Sequence, residues 1–373
     1  MILVYMVFLR LSLTWCVVLL GLAMGQPAFA QDGAPLTEDV PSSQWAPLGQ
    51  VPVDQAGAGR RGYAIAGEGA DVAAPGTNQI GIHTVAANNF FREQTSDFLI
   101  TQRYETHTLA LELRRGFATR ILPRLEFGAQ MQLSERDSGF LNGFISGFEH
   151  LCFSMTGVQS AKTQLRNDGT PLPLGAFVTK DGRAVYRAAG SGAGIGDLFF
   201  VAKALLHDAP PASSGMRVAA RIGMNVSGKS EFTEGNYIGV GLSLDKKLFN
   251  WAAFHGDVRA NYALDSVSPW NLPLKRSSVG FSAGPELRIA RDSSFSIQID
   301  GNTTPYLPTG TLAFDKDYGS ITLGLGHRFR AGRTTVVSQI YARENMNLPF
   351  RVRWNTDPDA SFGIKITLRP LGR

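Results

Sequence analysis

From Phe295 to Asn302 the chain alternates without an error: Phe295, Ile297 and Ile299 fall on one side, Ser296, Gln298, Asp300 and Asn302 on the other. A period of two with one apolar and one polar side is the pattern of a β-strand lying between an apolar and a wet environment. The same period recurs. Val218, Ala220, Ile222, Met224 and Val226 oppose Arg217, Arg221 and Asn225, while Phe362, Ile364, Ile366 and Leu368 oppose Ser361, Lys365 and Thr367. The pattern predicts strands over 78–87, 98–117 (with a change of phase near Thr106), 124–134, 196–206, 216–226 and 237–244. It continues over 251–263, 277–290, 295–304, 318–329, 334–343 and 361–368.

These twelve stretches predict an all-β fold, a transmembrane antiparallel β-barrel over residues 76–373 whose apolar face meets lipid and whose polar face lines a lumen. The connections agree, because such barrels join strands by short turns at the periplasmic end and by longer loops outside. Short segments at 118–123, 207–215, 245–250, 291–294 and 330–333 alternate with longer ones, up to the 135–195 excursion. Phe117, Phe249, Trp251 and Phe329 border the short turns, where an aromatic girdle belongs. A secreted β-sandwich would alternate too, but would not sort its loops by length at every second connection.

The N-terminus adds an address. Residues 1–30 read as a secretory signal peptide: Arg10, an apolar run from Leu11 to Leu22, and the small-residue cleavage site Ala28-Phe29-Ala30, with Met6 as an alternative start. The expected location is therefore the bacterial outer membrane. Residues 31–75 carry 21 Gly, Ala or Pro in 45 positions and no strand or helix period, which fits either a flexible periplasmic lead-in or a plug folded into the barrel mouth. Loss of residues 1–30 leaves one cysteine, Cys152, so no internal disulfide can form. It also leaves 35 basic against 31 acidic residues, interspersed along the strands, which excludes a nucleic-acid footprint.

Two groups of residues are candidates for ligand binding. In the long excursion Phe140, Phe144, Phe148 and Leu151 recur at helical spacing and predict a short amphipathic helix in an external loop. Its stripe either packs on the barrel rim or walls an apolar pocket. The second group is the inward row of charges, which includes Arg221, Arg259, Glu286 and Arg288. If these charges are wetted the lumen is a pathway; if they pair with one another they seal it. Counting back from the 291–294 turn predicts Glu286 opposite Gln298 and Arg288 opposite Ser296.

No catalytic arrangement emerges. The histidines have no serine or cysteine nucleophile at a defensible spacing, no metal-ligand spacing is present, and no cofactor is expected. Gly192-Ala193-Gly194-Ile195-Gly196-Asp197 precedes a strand with no helix behind it, so it reads as the start of a strand and not as a phosphate loop.

Asn88-Asn89-Phe90, the run Ser138-Gly139-Phe140-Leu141-Asn142-Gly143-Phe144-Ile145 with Phe148 and His150, and Gly194-Ile195-Gly196-Asp197-Leu198 resemble a bacterial family of outer-membrane β-barrels that is a domain of unknown function. The resemblance covers residues from about 78 to the C-terminus and implies a barrel in the outer membrane, without an established activity or catalytic residue. The Gly-Asp strand start is similar, more weakly, to that of aromatic-degradation and fatty-acid channel barrels. Ser361 to Leu368 resembles the terminal signal read by the barrel assembly machinery, with aliphatics where aromatics are usual. The expected function is a passive channel for small hydrophobic or amphipathic solutes, with outer-membrane lipid as partner; a sealed structural or envelope-interaction barrel is the alternative.

Overall fold

A computed structural model describes residues 48–50, 67–138 without 123, 172–208, 215–227, 232–268 without 234, 271–345 without 316 and 333, and 360–370. The signal segment and the 140–151 stripe, with Phe140, Phe144, Phe148 and Leu151, lie outside them. The elements are β1 (Asn78–Gln94), β2 (Phe98–Phe117), β3 (Leu125–Asp137), β4 (Gly175–Lys180), β5 (Arg183–Ala189), β6 (Gly192–Asp208) and β7 (Met216–Val226). There follow β8 (Tyr237–Phe249), β9 (Ala252–Ala263), β10 (Ser277–Ala290), β11 (Ser293–Asn302), the one-turn helix α1 (Leu312–Asp315), β12 (Tyr318–Ala331), β13 (Thr334–Asn345) and β14 (Ala360–Pro370).

Twelve of the strands form a closed antiparallel barrel: neighbours pair in sequence from β1 through β2, β3 and β6 to β14, and β14 returns to β1 with Ile82 opposite Ile366. Closure leaves no strand edge in the wall, the condition for a sheet to sit in lipid. The side chains follow the alternation inverted relative to a soluble protein. Val258 is 57% exposed, while its chain neighbours Asp257 and Arg259 are 3% and 2% exposed. Leu113, Phe127, Ile222, Val240, Phe281 and Leu325 extend this outward apolar band. At the short-turn end Phe249 stacks on Trp251 with ring centroids 5.3 Å apart, and Phe117 meets Phe127 edge-on, forming part of the girdle.

The structure departs from the sequence pattern mainly at the outer end. The apparent change of phase near Thr106 is not a break: β1 and β2 keep one register from Asn78 opposite Arg115 to Gln94 opposite Leu99. What changes is the surroundings of one face. Below Thr106 the inward side chains are Glu112 and Arg114; above it the same face carries Phe98, Ile100 and Tyr104, which enter an apolar cluster with Phe91, Leu274, Tyr306 and Phe314. The expected 88–97 loop is thus two strand extensions joined at 95–97. Within the 135–195 excursion the hairpin β4–β5 was not predicted; β4 takes over the edge of β2 from β3, with Ile100 opposite Val178. Gly192 to Asp197 belongs to β6, opposite Arg136 to Leu133 and beyond, so no phosphate loop forms there.

The β10–β11 register is also corrected. The turn is a tight one at Arg291-Asp292 with a bulge between Arg288 and Ala290, so Glu286 lies opposite Ser296 and Arg288 opposite Ser294. That is two residues from the expected pairing, which preserves the facing of every side chain.

Sidedness can be checked directly. With Cys152 replaced by Ser, Leu307→Cys in the β11–β12 loop is expected to react with a membrane-impermeant thiol reagent on intact cells, and Ala331→Cys at the end of β12, beside the β12–β13 turn, only after lysis. Equal labelling of the two would overturn the topology.

Candidate functional site

The lumen is lined by charge in matched sets. Asp257 on β9 binds Arg221 of β7 and Arg259 of its own strand, the latter at 2.9 Å, and accepts from Ser243 at 3.2 Å; the carboxylate is fully buried. Arg259 also donates to Ser282 and Asn302, each at 3.0 Å. It finds space because Gly280 stands where a Cβ would collide with the Asn302 side-chain oxygen and lie 2.9 Å from Arg259 Nε. On β2, Arg114 binds Glu112 and, at 2.8 Å, Glu126; Lys365 of β14 lies 3.6 Å from Glu112. His255 bridges two carboxylates, with Nδ1 2.7 Å from Asp245 and Nε2 2.8 Å from Glu286.

Part of what fills this space comes from before the first strand. Glu286 accepts the backbone N–H groups of Leu48 (2.8 Å) and Gly49 (3.0 Å), Asp245 that of Ala70 (2.8 Å), and Glu126 that of Ala73 (2.7 Å). The Glu68 carboxylate reaches Arg114, Lys203 and Arg221 together. Ala70 and Val72 pack on Leu205 and Ala219 of the wall. Two glycines admit the segment: a Cβ at Gly116 would stand 2.2 Å from the Ala74 carbonyl oxygen, and one at Gly326 would stand 2.4 Å from Leu48 Cδ1. At the short-turn end Asp71 meets Arg369 at 2.7 Å and Arg217 at 3.6 Å. Burial alone would raise the Asp71 carboxyl, but Arg369, Lys203 and Arg217 outweigh it and hold the group below the ordinary carboxylate range.

Of the residues singled out from sequence, Arg221, Arg259 and Glu286 share this lumen network. Arg288 does not join it: its Nε donates to the Ala290 carbonyl at 3.2 Å near the β10–β11 turn, because it sits two residues closer to that turn than Glu286. Sequence reasoning missed Glu68 and Lys203. Lys203 had a signal, a lone cation in the apolar run Phe199 to Leu206; Glu68 had none beyond standing among Gly and Ala. Towards the long-loop end of the β2–β3 pair, the buried Glu105 and the half-buried His107 and Asp137 place potential ligand atoms within 4.8 Å of one another, through the pairing of Glu105 with Asp137. His107 Nε2 stands 3.5 Å from Asp137 Oδ1, an ion pair when the imidazole is protonated.

No protein-family model matches the chain, and no curated protein matches it. Solved structures do. An outer-membrane channel from Pseudomonas putida F1 superposes with a TM-score of 0.50 at 12% identity, over 80% of this chain and 97% of that one. The P. putida toluene transporter TodX gives 0.35 at 13% identity, over 80% of this chain and 91% of that chain. The NanC porin gives 0.38 at 8% identity, over 79% of this chain and 100% of that chain. At 12% identity the first likeness is one of fold alone, a closed antiparallel β-barrel.

Proposed function

We propose that this protein is a passive channel of the bacterial outer membrane for small hydrophobic or amphipathic solutes, exported by the 1–30 signal and assembled through Ser361 to Leu368. One observation carries the reading: the lumen is occupied by residues of the chain that are not strands of the wall. Among the described residues, the segment before β1 touches the wall through side chains, N–H groups on carboxylates and a single bridge, Pro75 to Gly116. Such contacts are individually modest and reversible, whereas a wall strand is fixed by a full ladder. The described part of this segment, 48–50 and 67–75, therefore acts as a plug, and its displacement opens the route. The apolar cluster around Phe91, Ile100, Tyr306 and Phe314 stands above the polar lumen, and the sequence stripe Phe140, Phe144, Phe148 and Leu151 would collect solute for it. The resemblance to the barrel family of unknown function fits the same reading.

The density of paired lumen charge favours a second reading, a sealed barrel whose loops do the work. Planar-bilayer conductance separates them. The full chain is expected to conduct weakly, and a form lacking residues 31–75 several times more. Silence from both removes the channel and leaves the sealed barrel.

A further inference from the structure

Lys203 on β6 and Arg221 on β7 are directly opposite in register, and both side chains point into the lumen at 1% exposure. Like charges placed across a strand pair repel and destabilise the sheet, so the position demands an anion between them. Among the described residues the wall does not supply one to Lys203. Glu126 is its register partner on β3, yet that carboxylate is taken by Arg114 at 2.8 Å and by the Ala73 N–H at 2.7 Å. Among the described residues, every acceptor of the Lys203 ammonium lies on the plug segment: Glu68 Oε1 at 2.8 Å, the Gly69 carbonyl at 2.6 Å and the Asp71 carbonyl at 2.5 Å. Glu68 also takes Arg221 Nη1 at 3.3 Å on its other oxygen, and Arg114 from β2. Three wall cations from three strands thus converge on one carboxylate that the wall does not own.

We propose that Arg114, Lys203 and Arg221 form a carboxylate-binding subsite of the channel, that Glu68 occupies it as an internal surrogate, and that the solute is a small organic acid with one carboxylate and an apolar body. This rests on the channel reading above. Guanidinium groups and an ammonium set around a carboxylate give charge-assisted hydrogen bonds to both oxygens, the chemistry that selects an acid over its neutral analogue. When the plug leaves, Arg114 retains Glu112 and Glu126, and Arg221 retains Asp257, but Lys203 keeps none of its described partners. The vacated position therefore favours an anion. The apolar body fits the route from the outer cluster of Phe91, Tyr306 and Phe314. Glu68, being tethered, competes at high effective concentration, so an acid binds weakly while the plug is seated.

The test uses the full chain and two Glu68 variants, with benzoate as probe and benzyl alcohol as its uncharged counterpart. Binding is measured by calorimetry and ion current in a planar bilayer. Removing an internal competitor is expected to tighten benzoate binding by about tenfold or more in Glu68→Ala, with no change for benzyl alcohol. Adding Lys203→Gln is expected to abolish the gain. The currents of Glu68→Ala should shift toward anion selectivity and be reduced by benzoate. Glu68→Gln, close in shape, carries the same test if the alanine variant does not fold. The subsite is overturned if neither variant gains benzoate affinity, if benzyl alcohol gains equally, or if the gain survives Lys203→Gln. A benzoate gain without current in any variant keeps the subsite and removes the channel; current without the gain does the reverse.

Discussion

Val258→Arg is expected to remove most of the correctly inserted protein, although an arginine stands naturally at the next position. Val258 lies near the middle of β9, 57% exposed on the outer face, whereas Arg259 is 2% exposed inside. A charge on the lipid face near the midplane costs about 2–4 kcal/mol, while inside the barrel it finds partners such as Asp257. Folded and unfolded fractions after refolding into vesicles, separated by heat-modifiable migration on gels, measure the effect. Insertion equal to that of the parent would mean that the outward band does not face lipid.

The second large effect is expected from Asp257→Ala. This carboxylate holds two buried arginines from two strands; its loss takes an ion-pair partner from each, while Arg221 keeps Glu68 and Arg259 keeps its hydrogen bonds to Ser282 and Asn302. Removing one member of a buried ion pair costs about 3–5 kcal/mol, because the charge left behind has lost its water as well as its partner. The urea midpoint for unfolding from vesicles should fall accordingly, with Asp257→Asn, which keeps an acceptor oxygen, in between. An unchanged midpoint for the alanine variant would show that the lumen pairs contribute nothing to holding the wall.

The sequence by itself determined the wall. A period of two, once established in a strand whose neighbours share it, decides which side chains face outward and which face the lumen; it is local and survives errors of a residue or two in any boundary. That is why the β10–β11 register could be two residues from its expected place while Glu286 still faced inward. The girdle residues and the inward facing of Arg221, Arg259 and Glu286 were legible on the same ground. Only the tertiary structure decided what the lumen contains. Glu68 meets Arg114, Lys203 and Arg221 across 46, 135 and 153 positions of sequence, in a segment with no period to place it. The apolar face of β2 above Thr106 likewise looked like a slip of phase, because alternation records that two faces differ but not which environment each one meets. Pairing of buried charge depends on long-range geometry and leaves no spacing in the chain, so whether the inward row was wetted or paired waited on the closed barrel.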